Sequence, residues 1–532
     1  MTLNSKVQVP LPENDIITRS TAPYYVYKVV GTFRNEKGQP DNDRRLIGRL
    51  DTGTGMLIPN GNYYELFNKT AVELSLSVNS IRSIGATFLI GCILEDLGVS
   101  RILREVFGGE KASAIITAVI YMSCMGNVFE HVLDWCEGYT LHEMILTSQK
   151  SSSLFASISH ADRMSFFKSW IGIQKQTPEF LAYDVTSFSS YAKGIQETEW
   201  GYNRDGDRLP QLNLGCYMCK DSGTPLFYVT YPGSIVDKSH LTYMMAYNGE
   251  LGIKDMGFVL DKGFCSAGNI CFMQGAHYRF ILGVEIGHKA TRAAVDAVRD
   301  GIVSMKNCVS SGTYVRAIRA RFYGVTSTMH IYFNPNSAEH LNQDLFKTVE
   351  NQEATLSQLS EITKKEAKKY SMFFDIASNK DGTFSFSRNY TKIDNAAKNN
   401  GFFCLLTNTS LSSSDVLSIY RKKDIIEKGF DDLKHHENMK RMHTHNSDTT
   451  DGKMFCAFIS LVAVSAIINN VRGVMEKKPF SKDSIISEMN KIKIVSTLDG
   501  SRLMNPVTKT QRLIFEAFNI TEDRLKSYAA AQ

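Results

Sequence analysis

The sequence predicts an α/β fold in which a mixed sheet is flanked by helices. Three apolar runs typical of strands lie close together between residues 180 and 232. Helical and strand-like patterns then alternate as far as residue 284, which favours a sheet with helices on its faces. A chain of 532 residues exceeds what one hydrophobic core usually serves, so we expect several domains.

Changes in periodicity divide the chain into parts. In the first part, YYVYKVVGTF and RRLIGRLDTGTG alternate apolar and polar residues around a polar turn, which predicts a small sheet. The parts are a small β-rich N-terminal domain (1–62), a helical region (63–175), a sheet domain in two pieces (176–284 and 414–475), a large β-rich insertion between them (285–413) and a C-terminal helical tail (476–532).

Composition places the chain among ordinary globular proteins. The net charge of +5 permits an anionic partner but does not demand one. The first 20 residues hold two acidic residues and no apolar run of signal-peptide length, so we expect a cytoplasmic protein. Apolar stretches at 112–125 and 454–468 are shorter than the roughly 20 residues that span a bilayer, so we expect buried helices and no membrane association.

Two aspartates follow apolar strands. Asp184 lies in AYDVTS and Asp261 in FVLDKGF. Ligands bind at strand ends in open α/β sheets, so these two carboxylates are candidates for one shared site. The alternative is that each aspartate only forms a turn.

A third acidic residue comes from the predicted helix DVLSIYRKKDIIEKGFDDLKHHENMKR. At about 100° per residue, one polar stripe spans an arc of roughly 60°. Its members are Tyr420, Lys423, Glu427 and Lys434. An apolar seam beside the stripe would anchor the helix against a core. The alternative is a solvated face on which Lys423 pairs with Glu427.

Three carboxylates, from Asp184, Asp261 and Glu427, suit a hard divalent cation such as Mg²⁺, with Mn²⁺ as a substitute. Two such ions can activate the attacking oxygen and stabilise the leaving oxygen in a phosphoryl displacement. Lys423 and Lys434 flank Glu427 as expected for phosphate positioning, and the Tyr420 hydroxyl is a further candidate donor to a phosphate oxygen.

The spacing of Tyr420, Lys423, Glu427 and Lys434 resembles that of bacterial insertion-sequence transposases of the DDE type that carry the Tyr-Arg-Glu-Lys signature. DVT at Asp184 and DKGF at Asp261 resemble the two aspartate motifs of that family. The segment GYNRDGDRLPQLNLGCYMCK and the lead-in GFFCLLTNTSLSSSDVLSIY are also similar. The resemblance covers residues 180–470, and Lys423 departs from the signature arginine by keeping the charge without bidentate geometry.

The resemblance implies a ribonuclease-H-like catalytic core with a β-rich insertion. It implies that Asp184, Asp261 and Glu427 bind two Mg²⁺ ions, and that double-stranded DNA is cleaved at inverted-repeat ends and joined to target DNA. It further implies that the N-terminal sheet and the helical region recognise those ends, and that two copies of the chain pair them. The alternatives are a non-catalytic DNA-binding descendant and a nuclease of the same fold without strand transfer.

Basic groups in the insertion are candidates for contacts with the DNA backbone. They are Arg316 and Arg319 on a predicted strand, and Lys364, Lys365 and Lys368 on a predicted helix. A solvated surface is the alternative. Cys216 and Cys219 form a CxxC motif without a second pair, and on a strand their odd spacing points the sulfurs to opposite faces, which disfavours a zinc site.

Overall fold

The structure is a computed structural model. It describes residues 7–35, 37–67, 78–139, 144–174, 179–201, 208–253, 256–310, 312–378, 383–423, 441–474, 481–497 and 502–531. The chain divides into two compact units. The first contains Met1–Ile81 and Ile494–Leu503, and the second contains Arg82–Lys493 and Met504–Gln532.

The strands of the described residues are, in chain order, β1 (Ile16–Thr18), β2 (Tyr25–Arg34), β3 (Pro40–Leu50), β4 (Leu57–Pro59), β5 (Val78–Ser83), β6 (Phe180–Ser189), β7 (Gln211–Cys219), β8 (Pro225–Pro232), β9 (Gly257–Leu260), β10 (Arg279–Val284), β11 (Cys308–Ser310), β12 (Thr313–Phe322), β13 (Val325–Phe333), β14 (Phe374–Ser378), β15 (Phe384–Arg388), β16 (Phe402–Thr407), β17 (Lys493–Thr497) and β18 (Arg502–Met504).

The α-helices of the same residues are α1 (Gly61–Leu66), α2 (Gly85–Asp96), α3 (Val99–Phe107), α4 (Gly109–Met125), α5 (Val132–Gly138), α6 (Ser148–Ala156), α7 (His160–Gly172), α8 (Asp237–Leu251), α9 (Ala267–Gly275), α10 (Lys289–Val298), α11 (Pro335–Gln358), α12 (Lys364–Tyr370), α13 (Tyr390–Ala397), α14 (Ser413–Arg421), α15 (Ser447–Val474), α16 (Lys482–Met489), α17 (Lys509–Glu516) and α18 (Glu522–Ala531).

The N-terminal part of the first unit is a four-stranded antiparallel sheet in the order β1-β2-β3-β4. Alternation of apolar and polar residues predicted this small sheet, and the structure confirms it. Its core consists of Val26, Ile47, Leu57 and Tyr63, the last from α1. A separate three-stranded sheet has the order β18-β17-β5.

A nine-stranded mixed sheet dominates the second unit, with the order β11-β12-β13-β16-β10-β9-β6-β7-β8. Strands β6, β9 and β10 are parallel to one another, and their other neighbours are antiparallel. Nine of the ten residues of β6 are buried, as expected for a strand covered on both faces. The predicted class, a mixed sheet flanked by helices, is confirmed.

Helices cover this sheet through large apolar contacts. The indole nitrogen of Trp170 in α7 donates to the carbonyl oxygen of Pro225 in β8 at 3.0 Å. Phe167 of α7 packs edge-on against Phe227 of β8 and against Phe458 of α15. These contacts fix the helical layer against the β8 edge of the sheet.

Within the described residues, α15 is the one unbroken helix that is long and apolar enough to span a membrane. The helices at Gly109–Met125 and Phe129–Gly138 reach that length only when taken together, and they are bent by 117° relative to each other. In α15, 72% of the apolar window is buried inside the protein. The helix packs against α4 and α6. The expectation that the apolar stretch at 454–468 forms a buried helix is therefore met.

The sequence predicted segment 285–413 as a separate insertion, but its strands do not all form a sheet of their own. Of the segment 285–413, β11, β12, β13 and β16 lie in the nine-stranded sheet, because β16 pairs with β10 on one side and with β13 on the other. The segment that stands apart is 335–397. There α11, α12, α13 and the β14–β15 hairpin enclose a core of their own that includes Val349, Leu356 and Phe374.

The C-terminal segment 476–532 also differs from the expected helical tail, since it contributes β17 and β18 to the sheet with β5. The residues KIVST of β17 place buried Ile494 and Thr497 among partly exposed neighbours. Such a short strand gains its stability from pairing with distant β5, which a local pattern does not reveal.

Candidate active site

Asp261 directly follows β9, as predicted, whereas Asp184 is the fifth residue of the ten-residue strand β6 and does not end it, because the buried run of β6 continues to Ser189. In the register of the parallel strands β6 and β9, Tyr183 pairs with Leu260, and an aspartate follows each of these two residues. Equivalent positions of parallel strands point to the same face, and neighbouring strands are about 4.8 Å apart. Two carboxylates are therefore brought together at the point where β9 ends.

Tyr420 of α14 contacts Asp261. Its hydroxyl donates to Oδ1 of Asp261 at 3.1 Å. Gly283 of β10 makes this approach possible, since a Cβ there would lie 2.8 Å from the Tyr420 oxygen and 2.9 Å from the backbone nitrogen of Lys262. Glycine inside a strand often marks such a close approach, so the glycine in RFILGV is the signal that sequence reasoning missed.

Lys423 lies just beyond the end of α14 and faces the other aspartate. Its ammonium nitrogen is 3.7 Å from Oδ2 of Asp184, and the residue is only 4% exposed. A buried ammonium requires a compensating charge, and the carboxylate of Asp184 supplies one. One short segment thus places one side chain on each aspartate.

The helix that carries these side chains ends earlier than predicted. The polar stripe assumed a helix that continues through Lys423, whereas α14 ends at Arg421. The amide of Lys423 bonds to the carbonyl of Tyr420 at 3.0 Å, which is the tighter hydrogen bonding of a terminal turn. Glu427 and Lys434 lie outside the described residues.

The start of α14 is fixed to the sheet. The Ser412 side chain caps the helix by accepting from the amide of Asp415. The Tyr332 hydroxyl of β13 donates to the Ser413 carbonyl at 2.7 Å, and Nδ1 of His330 lies 2.8 Å from the Ser413 hydroxyl. Burial lowers the pKa of His330 to about 4, so its ring is neutral near pH 7.

Hydrogen bonds between lysines and an aspartate join the turn after β7 to the end of α14. Asp221 accepts from Lys422 at 2.7 Å and from Lys220 at 2.8 Å. Burial acts to raise the pKa of Asp221, but the hydrogen bonds from both lysines outweigh it and hold the pKa below its usual range. The sequence alone does not indicate this cluster, because Lys422 and Asp221 are 201 residues apart.

The segment that begins at Arg441 contacts the C-terminal end of β6. Arg441 forms a parallel bridge with Ser189, and the amide of Met442 donates to the Ser189 carbonyl at 3.3 Å. The Lys453 ammonium of α15 donates to the Met442 carbonyl at 3.0 Å. Burial lowers the pKa of Lys453 to about 7. This segment is therefore held from two sides.

The other basic candidates lie away from the aspartates. Arg316 and Arg319 are exposed on β12, which is four strands from β9, or roughly 20 Å at the usual strand spacing. Their odd separation turns them to opposite faces of β12. Lys364, Lys365 and Lys368 are exposed on α12, which begins with a capping box of Thr363 and Glu366.

The two carboxylates supply the oxygen donors that Mg²⁺ and Mn²⁺ prefer, so their chemistry fits the metal implied by the sequence. In the part of the chain that the structure describes, no group of three or more metal-ligating side chains occurs. Cys216 is fully buried in β7, and burial raises the pKa of its thiol, which disfavours the thiolate that zinc requires.

No curated protein matches the chain significantly. Among solved structures, a piggyBac transposase synaptic complex with hairpin DNA, determined by electron cryo-microscopy, matches 72% of this chain over 70% of its own length. The sequence identity is 10% and the TM-score is 0.35.

The family model described as "Transposase DDE domain" matches residues 175–463. The match begins just before β6 and ends within α15, so it contains Asp184, Asp261, Tyr420 and Lys423. The large mixed sheet flanked by helices is consistent with this family. Because the match extends over more than half of the sequence, the chain belongs to the DDE transposase family.

Proposed function

We propose that this protein is an active insertion-sequence transposase of the bacterial cytoplasm, which cleaves the inverted-repeat ends of its element and joins them to target DNA. The observation that carries the proposal is the register of β6 and β9, which pairs Tyr183 with Leu260 and would bring the residues that follow them, Asp184 and Asp261, to one site. Family membership supports it. Two copies of the chain would bring the two ends together.

We assign the catalytic core to a ribonuclease-H-like fold. The strand order supports this assignment: β6, β7 and β8 form an antiparallel meander, and α8 and α9 lead to the parallel strands β9 and β10. The proposed insertion is the segment 335–397, which has its own hydrophobic core. The helical region 63–175 is proposed to contribute to DNA binding.

Asp184 and Asp261 would hold divalent metal ions together with Glu427, which follows Lys423 by four residues in the sequence. When bound, such ions activate the attacking oxygen and stabilise the leaving oxygen of a phosphodiester. The Tyr420 hydroxyl, which donates to Oδ1 of Asp261, would help to orient that carboxylate. The Lys423 ammonium offsets the charge of Asp184 and is the counterpart of the signature arginine.

Phosphate contacts are assigned to basic side chains. Lys423 and Lys434 would position the scissile phosphate. The exposed groups Arg316, Arg319, Lys364, Lys365 and Lys368 would contact the DNA backbone farther away, where each contact adds to salt-dependent affinity.

The test uses a plasmid that carries the DNA flanking this chain's own reading frame, with Mg²⁺ and a target plasmid. The wild type is expected to cut at inverted repeats and to join the ends. Asp184→Asn, Asp261→Asn and Glu427→Gln are expected to bind the ends with wild-type affinity but to lose cleavage by at least a hundredfold, since each removes a charged ligand. Asp300→Asn, at an exposed turn after α10, is the control.

Each other outcome contradicts part of the proposal. Cleavage by Asp184→Asn at the wild-type rate would overturn the metal-ligand assignment. Cutting without joining indicates a nuclease of the same fold. End binding without cutting by the wild type indicates a non-catalytic descendant.

A further inference from the structure

The hairpin formed by β2 and β3 extends beyond the core of the N-terminal sheet. Among the described residues, β1 pairs with β2 only as far as Lys28, and β4 pairs with β3 only as far as Gly48. The β2–β3 ladder continues to the pair Arg34 and Pro40. From Val30 to Arg34 every residue is exposed, so the distal hairpin is a two-stranded ribbon of roughly 15–20 Å.

Hydrogen bonds join the described residues at the end of this ribbon. The Asn35 side chain accepts from the amides of Lys37 and Gln39 at 3.0 and 3.1 Å. The Arg34 guanidinium donates to the Gly38 carbonyl at 3.0 Å, and Gly38 has a φ of 72°, which glycine adopts without strain. An isolated two-stranded ribbon buries little apolar surface, so this exposed one must serve a partner or remain marginal.

The two faces of the ribbon differ in charge. Thr32 pairs with Asn42, Arg34 pairs with Pro40, and Arg44 shares the face of Asn42 because it lies two residues along β3. This first face, with Thr32, Arg34, Asn42 and Arg44, has two positive charges. The second face has Asp41 and Asp43 opposite Phe33 and Gly31.

Arg44 lies 4.0 Å from Asp41 across the edge of β3, with both side chains nearly half exposed. An exposed pair at that distance is worth little, so it does not prevent Arg44 from contacting an anionic partner. The first face therefore has two exposed guanidinium groups beside an amide and a hydroxyl, and the Arg34 guanidinium has further N–H donors besides the one bonded to Gly38.

We propose that the Thr32–Arg34–Asn42–Arg44 face inserts into the major groove of duplex DNA. The inference rests on the proposed function and adds the element that reads the DNA. The major groove accepts a two-stranded β-ribbon. Arginine binds guanine O6 and N7, asparagine binds adenine N6 and N7, and threonine contacts either bases or phosphates. The acidic second face would point away from the phosphates.

The test compares the full-length wild type with Arg34→Gln/Arg44→Gln and with Asn42→Ala. The matched control is Lys347→Ala/Lys509→Ala, which removes the same charge at exposed positions of α11 and α17. Fluorescence anisotropy at several salt concentrations measures affinity for end DNA and for a scrambled duplex. Methylation of guanine N7 reports directly on the major groove.

The double arginine variant is expected to bind end DNA at least tenfold more weakly and to lose part of its preference over scrambled DNA. Asn42→Ala is expected to lose preference at one adenine. Guanines protected from methylation by the wild type and by the control are expected to become reactive with the arginine variant. Unchanged melting temperatures establish that the exposed substitutions leave the fold intact.

Two results would overturn the ribbon proposal alone. In the first, the wild type cleaves DNA, and the double arginine variant keeps wild-type affinity and methylation protection. In the second, the double arginine variant loses only its self-association, as measured by sedimentation. The second result would identify another copy of the chain as the occupant. A wild type that neither binds nor cleaves end DNA would overturn the proposed function, and the ribbon proposal with it.

Discussion

At the residue scale, the candidate site is built from paired contacts of opposite kinds. The neutral hydroxyl of Tyr420 donates a hydrogen bond to Asp261, whereas Lys423 places a buried charge near Asp184. The two aspartates are equivalent in the register of the sheet but have different partners. This difference gives each carboxylate its own orientation and its own electrostatic environment.

The tight fit at Gly283 leads to a prediction. Gly283→Ala is expected to lower the free energy of unfolding by about 1–3 kcal/mol, because its Cβ would overlap the Tyr420 oxygen and the Lys262 nitrogen. Displacement of Tyr420 is also expected to reduce Mg²⁺-dependent cleavage. Urea unfolding and a cleavage assay measure the two effects.

Gly249→Ala is the matched control, since this exposed glycine of α8 has open space around its Cβ and gains helix propensity of roughly 0.5–1 kcal/mol. Adding Tyr420→Phe to Gly283→Ala is expected to recover part of the lost stability, because one of the two overlapping atoms is removed. Full stability in Gly283→Ala alone would contradict the close packing described here.

Buried Lys453 predicts a dependence of stability on pH. Burial lowers its folded-state pKa to about 7, whereas an unfolded lysine keeps its proton to a pH of about 10.4. Between these values the unfolded chain binds more protons, so this group makes stability rise with pH by roughly 1.4 kcal/mol per unit. Below pH 7 both states are protonated and the contribution no longer changes.

Lys453→Met removes this titration. The free energy of unfolding of the wild type relative to Lys453→Met is therefore expected to increase from pH 6.5 to pH 8.5, as measured by urea unfolding. Lys526→Met, which removes an exposed ammonium of α18, is expected to differ from the wild type by the same amount at each pH. A constant difference for Lys453→Met would show that its burial does not perturb its protonation.

At the element scale, α14 is held at its start by side chains of β13 and just past its end by a side chain of the turn after β7. Tyr332 and His330 of β13 contact Ser413 at its start, and Lys422 bonds to Asp221 just past its end. A helix of nine residues is marginal by itself, so these contacts determine where it lies. They orient Tyr420 and Lys423 towards the sheet.

The segment 335–397 is expected to unfold as a unit of its own. Phe374→Ala removes a fully buried ring that packs edge-on against Phe386, which should cost about 3–5 kcal/mol. Amide hydrogen exchange is expected to accelerate in α11–α13 and in β14–β15 while β6 and β9 stay protected. Met372→Ala, at a side chain 65% exposed, is the control. Equal acceleration in β6 would show that the segment is not independent.

At the scale of the whole molecule, the sheet gathers residues that are far apart in the chain. Between Asp184 and Asp261 the chain forms β7, β8 and one helix, α8, and α14 follows only after β10 to β13 and β16 have been added to the sheet. These later strands thus belong to the scaffold that positions α14. A sequence division that separates 285–413 from the sheet misses this role.

Much of the fold could be predicted from local patterns. Apolar runs predicted β6, β9 and β10, because strands buried on both faces are continuously apolar. Alternation predicted the β2–β3 hairpin, because strands buried on one face alternate apolar and polar residues. The helix that contains Tyr420 was predictable for the same reason. The early end of α14 at Arg421 was not, since hydrogen bonding at a terminus is decided by what surrounds it.

The sequence by itself determined which residues are chemically suited to the site, namely Asp184, Asp261, Tyr420 and Lys423, and it supplied the family resemblance that connects them. Only the tertiary structure decided that Asp184 and Asp261 are level, that Tyr420 bonds to Asp261, and that Gly283 leaves room for it. The reason is that strand register and side-chain contacts depend on pairing between distant segments, and periodicity along one segment contains no information about its partner.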